Sequence, residues 1–335
     1  MDHTITEHDH NQRVDRFCRK YFKSYPEIKL GDIFSRIRKW AIKVNNKKTK
    51  EHYRLQSGDK ITRDESITTE KKASDATETK AKKISKINVS SVKKMIIYED
   101  TYRLVFNKPA GIVMHPWEKH NNDLTMHDIM QAYLKQTDWA QRTGTFSPQF
   151  CFRLDKDTSW ILIAAKTYDA LQQLNKLIKT RKVAKIYQTI LTWTIKQTTL
   201  TINQPLYTWF DKKFGKWKTF VNHELWKEAV SIFNLDESLE HAILWTINLC
   251  TVTIKTWRMH QIRVHAQYIW HPVLGDTMYG NPALNRIASK KYWITRQLLH
   301  SQSYWFFDTL NNKHMHFTAP TPDIFLSLMQ QWNNV

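Results

Sequence analysis

Ile161-Leu162-Ile163-Ala164-Ala165 is the stretch that most limits how this chain can fold. Five consecutive apolar residues cannot alternate between a wet face and a dry one. So short a run reads as a strand buried in the core. Immediately before it stands Arg153-Leu154-Asp155-Lys156-Asp157-Thr158-Ser159, which places one carboxylate, Asp155, between a cation and a hydroxyl-rich turn. An acidic residue on a loop beside a core strand is a common presentation for a nucleophile or a base. Most loop aspartates only cap turns, and Asp157 reads as one of those.

Charge narrows the partners. Fifty-one Lys and Arg against 31 Asp and Glu leave a net +20 over 335 residues. A polyanion is the default partner for such a chain, either nucleic acid or an anionic membrane. No apolar run approaches the roughly 20 residues of a membrane helix. No basic amphipathic helix with an aromatic face stands out either. The acidic, His-rich start resembles neither a signal nor a transit peptide. The expectation is a cytoplasmic, monomeric protein that faces RNA or DNA and no membrane. Cys18, Cys151 and Cys250 lie far apart and form no CxxC pair, so neither a disulfide framework nor a zinc knuckle is indicated. No base is arranged in sequence around Cys151 to make it a nucleophile. Residues 1–11, with His3, His8 and His10, are expected as a disordered tail.

Residues 12–62 form a small basic unit. Val14, Phe17, Cys18, Tyr21 and Phe22 recur at helical spacing, and Ile33, Phe34 and Ile37 mark a second helix with Arg36, Arg38 and Lys39 on its polar side. Ile42 and Val44 alternate into Asn45-Asn46, a hairpin turn because Asn tolerates positive φ. Lys43, Lys47, Lys48 and Lys50 crowd that hairpin as candidate phosphate contacts. Residues 63–92 are rich in Thr, Ser, Lys, Glu and Asp, and from Arg63 to Lys86 carry no aromatic residue, Gly or Pro; they read as a flexible linker. Residues 93–335 read as one large domain of α+β class, since strands and helices mix without regular βαβ alternation. Leu171, Leu174, Leu177 and Ile178 give one of its helices. Ile262, Ala266 and Ile269 give another, and Phe325, Leu328 and Trp332, with Asp323 as N-cap, a third. Lys185 to Trp193 and Ile243 to Thr256 look extended.

Five blocks now agree in order: residues 107–116 (Asn107-Lys108-Pro109-Ala110-Gly111 onward), Arg153-Leu154-Asp155 with Thr158-Ser159, Lys185-Ile186-Tyr187, Arg258 to His265, and His271 to Asp276. Leu298-Leu299-His300 and Phe317-Thr318-Ala319-Pro320 follow. Residues 93–325 resemble the RluA-type RNA pseudouridine synthases, and residues 12–62 resemble the S4-like RNA-binding domain often fused ahead of them. The resemblance implies a mixed, largely antiparallel sheet with flanking helices, no cofactor and no metal. It implies Asp155 as catalytic aspartate, Tyr187 as active-site tyrosine, Arg263 as the arginine paired with Asp155, and Arg153 as a residue holding opened RNA. Lys108 is a candidate phosphate contact. His260, His265, His271 and His300 read as hydrogen-bonding residues, not metal ligands. The substrate implied is structured RNA, foremost large-subunit ribosomal RNA. The alternative is a catalytically degenerate synthase that serves as an RNA-binding or ribosome-assembly factor.

One departure is systematic. Trp160, Trp257 and Trp270 stand where the family pattern has glycine, and Trp40, Trp193 and Trp226 follow the same rule, with Trp117 and Trp293 as further candidates. Composition agrees: 7 Gly against 14 Trp puts glycine at about 2%, against a usual value of about 7%. A UGA codon means tryptophan in one variant code and glycine in another, so the expectation is that many of these tryptophans are glycine in the native protein. A chain with real indoles in its cleft would fit the degenerate, RNA-binding alternative instead.

Overall fold

A computed structural model describes residues 3–21, 33, 37, 42–63, 87–115, 123–137, 139, 146–213, 215–225 and 227–330. The chain divides into two compact units. The first holds residues 1–105, 115–152 and 163–176; the second holds 106–114, 153–162 and 177–335.

The first unit contains a three-stranded antiparallel sheet, ordered β1 (His3–Thr4), β3 (Lys60–Arg63), β2 (Ile42–Val44). Helix α1 (Val14–Tyr21) packs Phe17 and Cys18 into a core shared with Ile33, Ile37, Ile42, Val44, Leu55 and Ile61. Asn45 and Asn46 take φ of 51° and 61°, and Val44 and Lys47 exchange backbone hydrogen bonds across them. This is the two-residue hairpin turn that Asn-Asn favours. The expected frayed tail is not found over residues 3–11. Ile5 is buried in the same core, its amide donates to the Asp59 carbonyl, and the His3 ring packs on Phe17 and Tyr21. A single apolar residue with a free sheet edge beside it was enough to recruit the segment. Residues 64–86 of the expected linker lie outside the described residues, as do Arg36, Arg38, Lys39, Trp40, Trp117, Trp226 and Trp332. The linker's end, expected without structure, forms helix α2 (Val89–Lys93), capped by Asn88. Also in this unit are β4 (Ile96–Glu99), the first half of β5 (Arg103–Lys108), β6 (Gln149–Phe150) and helix α3 (Met126–Leu134), whose N-terminus is a capping box of Thr125 and Asp128.

Strand β7 (Ser159–Ala165) is the apolar run of the sequence, and Ile161 to Ala165 are all fully buried. Helix α4 (Tyr168–Lys179) follows it. In the second unit β7 lies parallel to β14 (Leu299–Asp308), with Ser159 opposite His300. Antiparallel pairs build the rest of it: β14 with β8 (Ala184–Thr192), β8 with β13 (Trp245–Ile254), β13 with β12 (Val230–His241), β12 with β9 (Thr199–Asn203), and β15 (Lys313–Thr318) on β14. A separate hairpin joins β10 (Leu206–Asp211) to β11 (Lys216–Val221). The sheet is therefore mixed and largely antiparallel, as the resemblance implied. Helices α5 (Gln261–Tyr268), α6 (Pro282–Tyr292) and α7 (Asp323–Gln330) complete the unit. Asp323, expected as the N-cap of α7, lies in its first turn. Among the described residues no helix is long and apolar enough to cross a membrane.

Tyr187 lies on β8 opposite Ser301 of β14 and Val252 of β13, so a central strand fixes it from both sides. Gly275, at φ +80°, lets the chain turn against the segment after α6: a Cβ there would lie 2.1 Å from the Arg296 carbonyl oxygen. Gly275→Ala is expected to cost at least about 2 kcal/mol, read as a lowered urea midpoint with an unchanged slope.

Candidate functional site

The Asp155 loop is held by backbone acceptors. Lys108 is fully buried, and its ammonium donates to the carbonyls of Lys156 at 2.8 Å, Thr158 at 2.9 Å and Pro109 at 3.0 Å. The Gly111 amide donates to the Lys156 carbonyl, and Arg296 to that of Asp157. Sequence reading offers Lys108 as a phosphate contact. The structure corrects this: with its donors spent on three carbonyls and no exposed surface, it cannot reach RNA. Burial brings its pKa down to about 8, partly offset by Asp157 and Asp155.

Arg263, in the first turn of α5, faces two carboxylates. Its Nη1 donates to Asp155 Oδ2 at 2.9 Å, while Nε and Nη2 form a fork on Asp276 at 2.6 and 2.8 Å. Asp276 is buried and also accepts the amides of Met278 and Tyr279. Asp155 keeps 24% of its side chain open to solvent, whereas Asp276 keeps none. One carboxylate therefore anchors the guanidinium and the other is presented by it. His260 Nε2 lies 3.8 Å from Asp155 Oδ2, and its Nδ1 shares a 2.8 Å hydrogen bond with the Tyr279 hydroxyl.

Burial alone would push the Asp155 carboxyl up. The charges of His260 and Arg263, the Arg263 hydrogen bond and the more distant Lys108 together outweigh burial and hold the carboxyl below its ordinary value. Burial also lowers the His260 pKa. Near neutral pH the imidazole thus carries little charge, and Arg263 is the standing cation. Burial, reinforced by the Asp155 charge, raises the Tyr187 phenol, so it remains a protonated wall beside the carboxylate. Burial likewise pushes the thiols of Cys18, Cys151 and Cys250 up to about 12, which leaves them unreactive protonated thiols at neutral pH. His300 shares a 3.1 Å hydrogen bond between its Nδ1 and Ser159 Oγ, and burial lowers its pKa to about 3. It is a neutral structural link between β14 and β7.

Asp155, Tyr187 and Arg263 line one cavity of about 50 Å³. Exposed Arg153 stands at its edge, and Trp257, Arg258 and His260 complete its wall. Lys43 lies on β2, and Lys47 and Lys48 follow the Asn45-Asn46 turn, all in the first unit and none lining this cavity. Sequence reading gives no role to Asp276 or Tyr279, and gives His260 only that of a hydrogen-bonding residue. A signal is present for the first: a buried guanidinium carries five N–H donors, more than one half-open carboxylate can satisfy.

Comparison with known proteins gives a consistent picture. Residues 102–268 match the family model described as RNA pseudouridylate synthase. The ribosomal large subunit pseudouridine synthase C of Buchnera aphidicola subsp. Baizongia pistaciae is 31% identical over 97% of this chain and 95% of its own length. The corresponding protein D of Blochmanniella floridana is 32% identical over 70% of this chain and 71% of its own. Among solved structures, human RNA pseudouridylate synthase domain containing 4 aligns with a TM-score of 0.57 at 19% identity, over 73% of this chain and 95% of that one, a likeness of fold.

The Asp155 carboxyl is expected to titrate below the ordinary Asp value of about 3.9 in the native protein and to move upward in Arg263→Gln, where the guanidinium's charge and hydrogen bond no longer oppose burial. Arg263→Lys keeps the charge and should hold the lower value. Carboxyl carbon NMR shifts across about pH 3 to 8 read the difference. The lowered pKa contributes stability that is present above the unfolded-state value and lost as pH falls through the folded one.

Proposed function

This chain belongs to the RNA pseudouridylate synthase family, and on that premise we propose that it converts uridines of large-subunit ribosomal RNA to pseudouridine. The observation that carries the reading is the ionised, half-open Asp155 carboxylate, held by Arg263 beside Tyr187. The reaction breaks the N1–C1′ bond, turns the uracil and forms a C5–C1′ bond. The proton leaving C5 is balanced by one gained at N1, so the change is an isomerisation without oxidant or reductant. Whether Asp155 acts at the sugar or on the base, it must be a carboxylate to do so, and the Arg263 contact favours that form. Tyr187 supplies a flat protonated wall for the base. A uridine stacked in a helix is out of reach of such a pocket, so the base must be flipped out; the role of holding the opened strand falls in this reading to Arg153, which lines the cavity.

We assign residues 12–62, extended to residue 3 by β1 and to Arg63 by β3, to an S4-like RNA-binding domain, the rest of residues 63–92, with helix α2 at its end, to a linker and residues 93–335 to the catalytic domain. Lys47 and Lys48 are exposed around the hairpin turn, with Lys43 half-buried behind them, and this supports a phosphate-contacting role. Arg36, Arg38 and Lys39 are further phosphate contacts in this proposal, on the strength of the sequence. The protein acts as a monomer in the cytoplasm, where its substrate is assembled. One observation favours the second reading, an RNA-binding factor without catalysis: Trp257 stands in the wall of a cavity far smaller than the roughly 300 Å³ of an ordinary ligand pocket.

Asp155→Ala should abolish pseudouridine formation in a ribosomal RNA transcript while leaving RNA affinity within about twofold, since one half-open carboxylate adds little to phosphate binding. Sequencing of modified sites and filter binding read the two effects; undiminished modification would remove Asp155 from the mechanism. Alanine at Lys43, Lys47 and Lys48 together should weaken binding and reduce the salt slope of log K by roughly one for each phosphate that is no longer neutralised.

A further inference from the structure

Ten described residues other than glycine have positive φ. Four are Asn, which tolerates that region. Four others are tryptophan: Trp193 at 73°, Trp245 at 62°, Trp270 at 65° and Trp293 at 59°. Bulky side chains are genuine outliers there, whereas glycine enters without steric cost. Each of the four occupies a turn with its own demand for a left-handed residue. After α5, the Trp270 amide donates to the Gln267 carbonyl and the His271 amide to that of Ala266, both at 3.0 Å. That is the Schellman pattern, and Trp270 holds its usual glycine position. Trp293 is the left-handed cap of α6, its amide 3.2 Å from the Ser289 carbonyl. Trp245 is the first residue of β13, directly after the turn of residues 242–244 and opposite His241, and it turns left-handed to enter the strand. Trp193 directly follows β8 and donates to the Thr246 carbonyl at 2.9 Å.

The indoles gain little from these positions. Trp245, Trp270 and Trp293 are 62%, 84% and 87% exposed, although burial of a large apolar surface is what makes Trp valuable. Trp193 and Trp245 meet edge to face, each the other's neighbour. Both the backbone and the surroundings thus call for the residue without a side chain.

The same residue type narrows the cleft. Trp257 lies between the end of β13 and Arg258, within the wall shared by Asp155 and Tyr187. Its ring is 6.3 Å from that of Tyr304, and the Lys185 ammonium sits 4.2 Å above it. An indole is slightly larger than a uracil.

We propose that positions 193, 245, 257, 270 and 293 are glycine in the native protein, read from UGA codons by a host that decodes them as glycine, and that glycine at 257 opens the seat for the flipped uridine. With no ring at 257, the Lys185 ammonium faces the vacated volume. The four turn positions stand on backbone geometry alone. The role of 257 rests on the pseudouridine synthase reading.

Two measurements separate these parts. Peptide masses of the protein isolated from its source organism test the residues directly. Glycine masses at all five positions support the proposal, and tryptophan at the left-handed positions overturns it. Three recombinant chains test the consequences: the sequence as written; one with Trp193, Trp245, Trp270 and Trp293 changed to Gly; and one with Trp257→Gly added. The second chain should melt several degrees above the first, and an unchanged or lower midpoint counts against glycine at the turns. The third should form pseudouridine in ribosomal RNA at least about a hundredfold faster than the second. Equal, measurable rates in the two overturn the gating role of 257. No modification by the third chain, despite retained RNA binding and glycine masses in the native peptides, overturns the synthase reading and the role of 257 with it, while the turn assignment stands.

Discussion

A single guanidinium divided between two carboxylates is the contact on which the second unit depends. Arg263 is buried, and Asp276 neutralises it with two hydrogen bonds. That pairing lets a cation sit under the cavity, and the remaining Nη1 donor then fixes both the position and the ionisation of Asp155. Breaking a buried pair from one side typically costs about 3–5 kcal/mol, because the orphaned charge stays behind. Fold and chemistry therefore share one failure point, with the helix carrying Arg263, the turn carrying Asp276 and the loop carrying Asp155 all meeting there.

Much of this is legible in the sequence, for local reasons. The run from Ile161 to Ala165 reads as a buried strand, and Asn45-Asn46 as a tight turn. Leu171, Leu174, Leu177 and Ile178 mark one face of α4. Motif resemblance names Asp155, Tyr187 and Arg263, and the three line one cavity. What escapes depends on contacts between distant segments. Nothing near Lys108 announces that its ammonium meets carbonyls about fifty residues further along. Nothing near His3 announces the free edge of β3. Asp276 is visible as part of a block but acquires its purpose only from the fork with Arg263.

Tryptophan divides along the same line. Motif comparison picks out Trp193, Trp270 and Trp293, and the backbone places all three in the left-handed region. It passes over Trp245, whose turn has no strong motif; there only the dihedral angle speaks. Trp160 lies in extended backbone, paired with Ser301, so its glycine-like placement in the motif has a different origin from that of the turn residues.

The clamp on the Asp155 loop works through main-chain carbonyls at Lys156, Asp157 and Thr158. Every residue type presents the same carbonyl. The side chains at 156 and 157 can therefore drift over evolutionary time while the carboxylate next to them stays in register, and the loop can diversify its outer face toward different RNA shapes. By contrast, the residues that do the clamping have no such latitude: the buried Lys108 ammonium meets the carbonyls of Lys156 and Thr158 together with that of Pro109, and Arg296 meets that of Asp157, so variation is expected to be spent on the loop and withheld from its anchors.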